Sequence, residues 1–171
     1  VGHNAGGAVT TGVNNTIMGT LAGDAITDAD YNTAVGAGSL TTNILGSRST
    51  AVGYDSLGLQ NPSSALNSYN TGMGYGAGYG ITTGVQNTVI GGLGGRSGTD
   101  LSTGSQNILI GYNTGVSAAG GGHQFVLGIE IAASEDNQFI FGKASNTVAN
   151  EFDTDNAWTR SSDVRKKKNI E

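Results

Sequence analysis

One phrase constrains this chain more than any other feature: Asn-Thr, two apolar residues and Gly, recurring over residues 1–142 of its 171. Copies end at Gly19, Gly36, Gly53, Gly74, Gly91, Gly111, Gly128 and Gly142, and the chain opens on the tail of another, Val1-Gly2. From Gly2 onward the spacings are 17, 17, 17, 21, 17, 20, 17 and 14 residues, so the unit is 17, with insertions of four and three and a final shortening. A fixed period marks a repeat architecture, in which each unit buries apolar surface mainly against its neighbours. Because the chain starts inside a copy, with no initiator Met or signal peptide before it, it is expected to be a segment of a longer protein.

The columns of the repeat carry the physics. Immediately before Gly stand Val1, Met18, Val35, Val52, Met73, Ile90, Ile110, Leu127 and Phe141. One place earlier come Ile17, Ala34, Ala51, Gly72, Val89, Leu109, Val126 and Ile140, and before those Thr16, Thr33, Thr50, Thr71, Thr88, Ile108, Phe125 and Phe139. Four or five residues enriched in β-branched side chains and bounded by Gly and Asn read as a short strand. No window carries a 3.6-residue apolar period, which argues against helices. The expected fold is all-β: a repetitive parallel β-solenoid, or β-roll, of about eight 17-residue rungs over residues 1–142.

Neighbouring strand residues point to opposite faces, and here both of the last two columns before Gly are largely apolar. One face fills the coil; the other needs a cover that a 17-residue unit cannot supply. Association with copies of itself answers this, and a three-fold bundle suits a fibre, so a homotrimer is expected. The column Asn15, Asn32, Ser49, Asn70, Asn87, Asn107, Gln124 and Gln138 is suited to stacked amide ladders. Small residues three places after Gly (Ala5, Ala22, Ser39, Ser56, Ala77) predict a second tight backbone approach. The repeat Gly itself is expected to take positive φ at a turn. Either each chain coils alone or three chains interwind, and the sequence leaves both open.

Composition narrows the class. There are 30 glycines, one Pro, no Cys and only 12 % charged residues, against ordinary shares of about 7 % Gly and about 25 % charge. Gly does not fall at every third position, which excludes collagen. Without Cys there is no disulfide framework. A net charge of −5 with 36 % apolar residues argues against charge-driven disorder. No apolar run approaches a membrane span of about 20 residues, so no membrane insertion is expected. With a pI near 4.8 the chain offers no broad basic face, so no nucleic-acid partner is expected. Charge is also uneven: residues 1–129 hold seven charged side chains and 130–171 hold fourteen. That shift, with the fading of the repeat near 142, makes 143–161 a connector.

The phrase N-T-A-V-G-A-G-S-L at residues 32–40 resembles the head repeats of trimeric autotransporter adhesins, which form trimeric, left-handed parallel β-rolls. The longer phrase Ile81-Thr-Thr-Gly-Val-Gln-Asn-Thr-Val-Ile-Gly91, with its parallels at 9–19 and 101–111, resembles repeats of bacteriophage tail fibres. The run from Trp158 through Ile170 is similar to the opening of the C-terminal intramolecular chaperone of endosialidase-type tail spikes and fibres, matching at Ser162, Asp163, Arg165, Lys167, Asn169 and Ile170. This resemblance makes 162–171 the start of such a chaperone, truncated here. It implies a structural segment of a trimeric phage tail fibre or spike, in the virion tail, joined to other tail proteins and serving attachment to a host surface receptor, a glycan or an outer-surface protein. It also implies one self-cleavage between Ser161 and Ser162, with Ser162 as nucleophile and Lys167 as its partner; a weakly nucleophilic hydroxyl needs an adjacent base. The alternatives are a bacterial trimeric adhesin at the cell surface and a polysaccharide-degrading tail spike.

No cofactor is expected, and no enzyme activity apart from that cleavage. Asp24, Asp28, Asp30 and Asn32 resemble part of a calcium loop, but Thr33 and Ser39 stand where an EF-hand needs Gly and Glu, so no metal site is expected. His3 and His123 lack the spaced partners of a zinc site and are read as surface or turn residues. Gly91–Gly98 lacks the Lys of a phosphate-binding loop, and the sparse acids offer no evident glycosidase pair. The basic run Arg165–Lys168 reads as a solvated chain end. The insertions Gln60–Ser68 and Gly92–Asp100 are the best candidates for exposed binding loops, set against plain tolerated bulges.

Overall fold

In the computed structural model, which describes residues 2–154 and 159–160, every copy of the phrase forms a strand. The strands are β1 (Thr16–Met18), β2 (Thr33–Val35), β3 (Gly46–Ser47), β4 (Thr50–Val52), β5 (Leu66–Asn67), β6 (Thr71–Met73), β7 (Thr88–Ile90), β8 (Ile108–Ile110), β9 (Phe125–Ile129), β10 (Gln138–Lys143), β11 (Asn146–Glu151) and β12 (Thr159–Arg160). One ten-stranded sheet runs β1-β2-β4-β6-β7-β8-β9-β10-β11-β12, and β3 pairs with β5 in a second, two-stranded sheet. Pairing from β1 through β10 is parallel and keeps the columns in register: Thr16 faces Thr33, Ile17 Ala34 and Met18 Val35, and so on rung by rung. The protein is an all-β parallel solenoid of about eight rungs.

Each strand pairs with the next rung of its own chain, so the chain coils singly rather than interwinding its strands with those of other chains. At about 4.8 Å per rung the coil rises roughly 38 Å. Parallel stacking ends with β10; β11 folds back antiparallel on it and β12 on β11, within the segment that follows residue 142.

The corners explain the glycine column. Gly19, Gly36 and Gly53 have φ of 136°, 130° and 136°, a region open only to Gly at low cost. A Cβ on Gly19 would lie 2.6 Å from the carbonyl carbon of Gly36, one rung on. Positive φ is not confined to Gly, however. The residue before the amide column takes it on rung after rung, as Asn14, Tyr31, Arg48, Tyr69, Gln86, Gln106, His123 and Asn137. Such corners cost about 1 kcal/mol each in non-Gly residues, and rung-to-rung bonds hold them: Tyr31 N donates to Val13 O (3.1 Å), Arg48 N to Asp30 O (2.9 Å) and Gln86 N to Ser68 O (2.7 Å).

Three columns fill the narrow interior, and their volumes compensate. Where the strand centre is Ala34 or Ala51, the residue four after the repeat Gly is Leu40 or Leu57, and all four are fully buried. Where the strand centre is Ile17, Val89 or Leu109, that place is Gly23, Gly95 or Gly115. Gly23 shows why: a Cβ there would come 3.3 Å from Ile17 Cδ1. Close packing makes these two columns trade volume on those rungs; the rung with Gly72 and Gly78 is small in both. The small column behaves as expected, with Ala22, Ser39, Ser56 and Ala77 fully buried.

The amide column forms the expected ladder, inside the coil. Asn32 N donates to Asn15 Oδ1 (2.9 Å), Ser49 N to Asn32 Oδ1 (2.9 Å), Asn87 N to Asn70 Oδ1 (2.9 Å), Asn107 N to Asn87 Oδ1 (3.0 Å) and Gln124 N to Asn107 Oδ1 (3.1 Å). Each Nδ2 also reaches across the coil to a backbone carbonyl, as Asn32 to Gly46 (3.0 Å), Asn70 to Gly84 (2.8 Å) and Asn107 to Gly121 (2.9 Å). The column thus satisfies buried backbone groups that no strand partner serves.

Candidate functional site

Two outward features stand apart from this interior. The first is the second face of the ten-stranded sheet. Residues one and three places before each Gly share that face, and it is apolar along the coil: Met18, Val35, Val52, Met73, Ile90, Ile110, Leu127 and Phe141 in one column. Met18 is 50 % exposed, Met73 45 %, Leu127 43 % and Phe141 39 %. The neighbouring column changes along the axis from Thr16, Thr33, Thr50, Thr71 and Thr88 to Ile108, Phe125 and Phe139. At that end the rings gather, with Phe125 and Phe139 centroids 4.7 Å apart and Phe139 and Phe141 5.6 Å apart. Val35, Val52, Ile90 and Ile110 between them are half-buried, so the ribbon is a run of partly exposed apolar side chains, a feature uncommon on monomers.

The second is a groove of about 290 Å³ lined by Asp55, Tyr75, Gly76, Tyr79 and Arg96. The residue after each repeat Gly points outward, and in consecutive copies it is Tyr54 and Tyr75, whose rings stack at 5.4 Å and 9°. The next copy has Gly92, whose backbone neighbour Leu93 donates to Tyr75 O (2.8 Å), so the rungs are in contact while Tyr75's far ring face meets no side chain from position 92. Arg96 lies over the Tyr79 ring, 5.3 Å from its centroid, with Nε 3.7 Å from an Asp100 carboxylate oxygen. The Asp55 side chain leans over Gly38, occupying the space a Cβ there would need. Of these residues, Arg96 and Asp100 belong to an insertion read as a candidate loop. The signal for the tyrosines lies in their recurrence one place after the repeat Gly, at Tyr54, Tyr75 and Tyr112.

The other insertion, Gln60–Ser68, is exposed at five of its nine residues and buried at three. Gln60, Pro62 and Ser68 are buried, and only Asn61, Ser63–Ala65 and Asn67 are exposed. Gln60 enters the core because Ser49 interrupts the amide column there and is too short to bridge two rungs. Ser49 Oγ donates to Gln60 Oε1 (3.1 Å), Asn70 Nδ2 donates to the same oxygen (2.9 Å), and Gln60 Nε2 donates to Asn43 Oδ1 (3.2 Å). This stretch is a repair of the ladder before it is a loop.

The acids that resemble part of a calcium loop do not converge. Asp24 accepts from Thr41 Oγ1 (2.7 Å), Asp28 from Thr10 and Thr11 (2.9 and 2.6 Å) and Asp30 from Val13 N (2.7 Å), each tying one rung to another, while Asn32 belongs to the ladder. The Thr11 and Thr10 hydroxyls hold the Asp28 carboxyl below its ordinary range. Among the described residues, no group of three or more His, Asp or Glu side chains is placed to hold a metal. His3 and His123 are exposed turn residues, as expected. Near the last rungs, Asp136 accepts from Gly122 N (3.0 Å), Gln124 Nε2 (2.8 Å) and Ser117 Oγ (3.3 Å). The Gly122 N–H is the main cause that lowers its pKa. Ser162, Lys167 and the run Arg165–Lys168 lie outside the described residues.

No family model matches the chain, and no curated protein or solved structure matches it significantly. The solenoid is consistent with repeat proteins such as tail fibres, tail spikes and adhesins. Among the described residues no helix is long and apolar enough to cross a membrane.

Proposed function

We propose that this chain is a shaft segment of a homotrimeric phage tail fibre or spike that serves host attachment, without enzymatic activity of its own. The apolar ribbon carries this reading. It runs the length of the coil on one sheet face, and it repeats with the rung. A second copy presents the same pattern at the same period, so copies related by rotation about the fibre axis meet level for level. Three ribbons facing one axis form a dry core between coils, and the outward corners remain free to carry a receptor surface. The reading also takes in one self-cleavage before Ser162, assisted by Lys167, when a complete chaperone follows.

Two experiments test it. Antibody raised against the chain is expected to label phage tails and to block adsorption; label on bacterial cells without virions would favour the surface adhesin, and tail label without a block would remove the attachment role. For the cleavage, the parent protein and its Ser162→Ala variant are weighed by mass spectrometry. Loss of everything from Ser162 onward in the parent alone is expected, and an intact parent would strike Ser162 and Lys167 from the chemistry.

A further inference from the structure

We propose that the groove between Tyr75 and Arg96 is a binding site for one ring of a neutral saccharide. The inference does not rest on the trimer, because the groove lies beyond the Gly corner, on the turn side of the rung, and the ribbon lies on the strand side.

The surface is built for a small ligand with one apolar face and a polar rim. Tyr75 is 61 % exposed. Its near face is taken by Tyr54, and its register neighbour Gly92 has no side chain to cover the other. Gly76 also lines the groove but is itself buried, with Leu93 Cδ2 3.4 Å from where its Cβ would stand, so the Tyr75 ring and not the backbone is the contact surface. The C–H face of a pyranose fits a bare phenol ring, and tyrosine adds a polar tip at the edge.

The rim supplies both hydrogen-bonding signs. One Asp55 carboxylate oxygen is packed over Gly38; the side chain still lines the groove, which leaves its other oxygen to accept from a sugar hydroxyl. Arg96 is held in advance by the Tyr79 ring on one side and by Asp100 at its Nε; guanidinium carries further donors. Fixing that long side chain before binding lowers the ordering cost a ligand must offset. Charge then selects the class. Arg96 is paired with Asp100 and a second carboxylate, Asp55, lines the same groove, so a sialylated, uronic or phosphorylated sugar meets two carboxylates against one cation. A volume of about 290 Å³ sits at the small end of ligand pockets, roughly 300–1,000 Å³, which suits one ring of a longer glycan.

The test is a printed array of neutral and sialylated oligosaccharides probed with the 171-residue chain, followed by saturation-transfer NMR on the best neutral binder. Binding to neutral saccharides is expected, with at least a tenfold loss in Tyr75→Ala and in Asp55→Asn. Asn tolerates the positive φ of 51° at position 55, so that variant keeps the corner while changing the acceptor. His3→Ala, an exposed turn residue on the first rung and far from the groove, should bind as the parent does, and all three variants should melt with it. Ring-proton resonances of Tyr75 and Tyr79 should shift on binding while those of Tyr31 do not. Three results would overturn the proposal: no neutral saccharide bound, binding confined to sialylated spots, or neutral binding that survives Tyr75→Ala.

Discussion

Single residues decide whether one rung can sit on the next, and the repeat Gly shows it most sharply. At Gly53, with φ of 136°, an added Cβ would stand 2.6 Å from the carbonyl carbon of Gly74. That neighbour is backbone locked by Gly74 N donating to Val52 O at 2.8 Å, so it cannot move aside. Gly92 is a control on the same coil, where a Cβ would make an ordinary 3.6 Å contact with Tyr112. Gly53→Ala is expected to lower stability by roughly 3 kcal/mol through strain and overpacking, and Gly92→Ala to change it little, read from urea midpoints. Equal midpoints would mean that the corner is looser than its geometry. A second residue-scale expectation concerns acid. The folded-state pKa of Asp136 lies below its ordinary value of 3.8; the stabilisation it gives is therefore present above that value and lost as pH falls through the lower, folded one. Asp136→Ala should remove that part of the acid-side loss of stability, seen as a flatter melting temperature between pH 5 and pH 2 for the variant than for the parent, both ranges taken as about these values.

At the scale of the element, the legible and the hidden separate cleanly. Strand positions and their register follow from the column pattern, because a period-2 face and a fixed 17-residue return leave one way to stack. The amide ladder was legible for the same reason: a polar residue kept at one interior position must bond along the axis. What composition and period could not show was compensation between columns. Ala34 with Leu40 and Val89 with Gly95 read as noise in separate columns and as one filled volume in the coil. The non-Gly corners at Tyr31, Arg48 and Tyr69 were hidden too, since nothing local favours positive φ there and only rung-to-rung bonds impose it. Gln60 is the sharpest instance. By sequence it opens an insertion, yet it lies buried among Asn43, Ser49 and Asn70, bonded to all three. Gln60→Leu should cost about 2 kcal/mol, because it leaves buried polar groups without partners while keeping volume. Asn61→Ala, exposed next door, should cost almost nothing. If thermal denaturation ranks the two equally, the ladder does not depend on the repair.

At the scale of the whole molecule, the two faces of one strand carry different fates, and adjacent residues can tell them apart. Ala51 points into the coil and is fully buried, whereas Val52 points to the outer ribbon and is only partly covered by its own chain. A carboxylate at 51 has no water and no partner, a cost of several kcal/mol, so Ala51→Asp should unfold the rung whatever the assembly. A carboxylate at 52 remains near water in a single coil, but would be desolvated between three. Val52→Asp should therefore leave the β signal in circular dichroism intact while lowering the mass in solution. Light scattering at micromolar concentration is expected to give three times 17.2 kDa for the parent and for Arg96→Ala, and a smaller mass for Val52→Asp. The rise from Thr50 to Ile108 and Phe125 along the same face adds a gradient, since burying a Phe contributes more than burying a Thr; Phe125→Thr should weaken the trimer more than Thr50→Ala. A monomeric parent would leave the solenoid and its groove as they are and would dismiss the fibre. A trimeric Val52→Asp would instead show that the copies meet on another face.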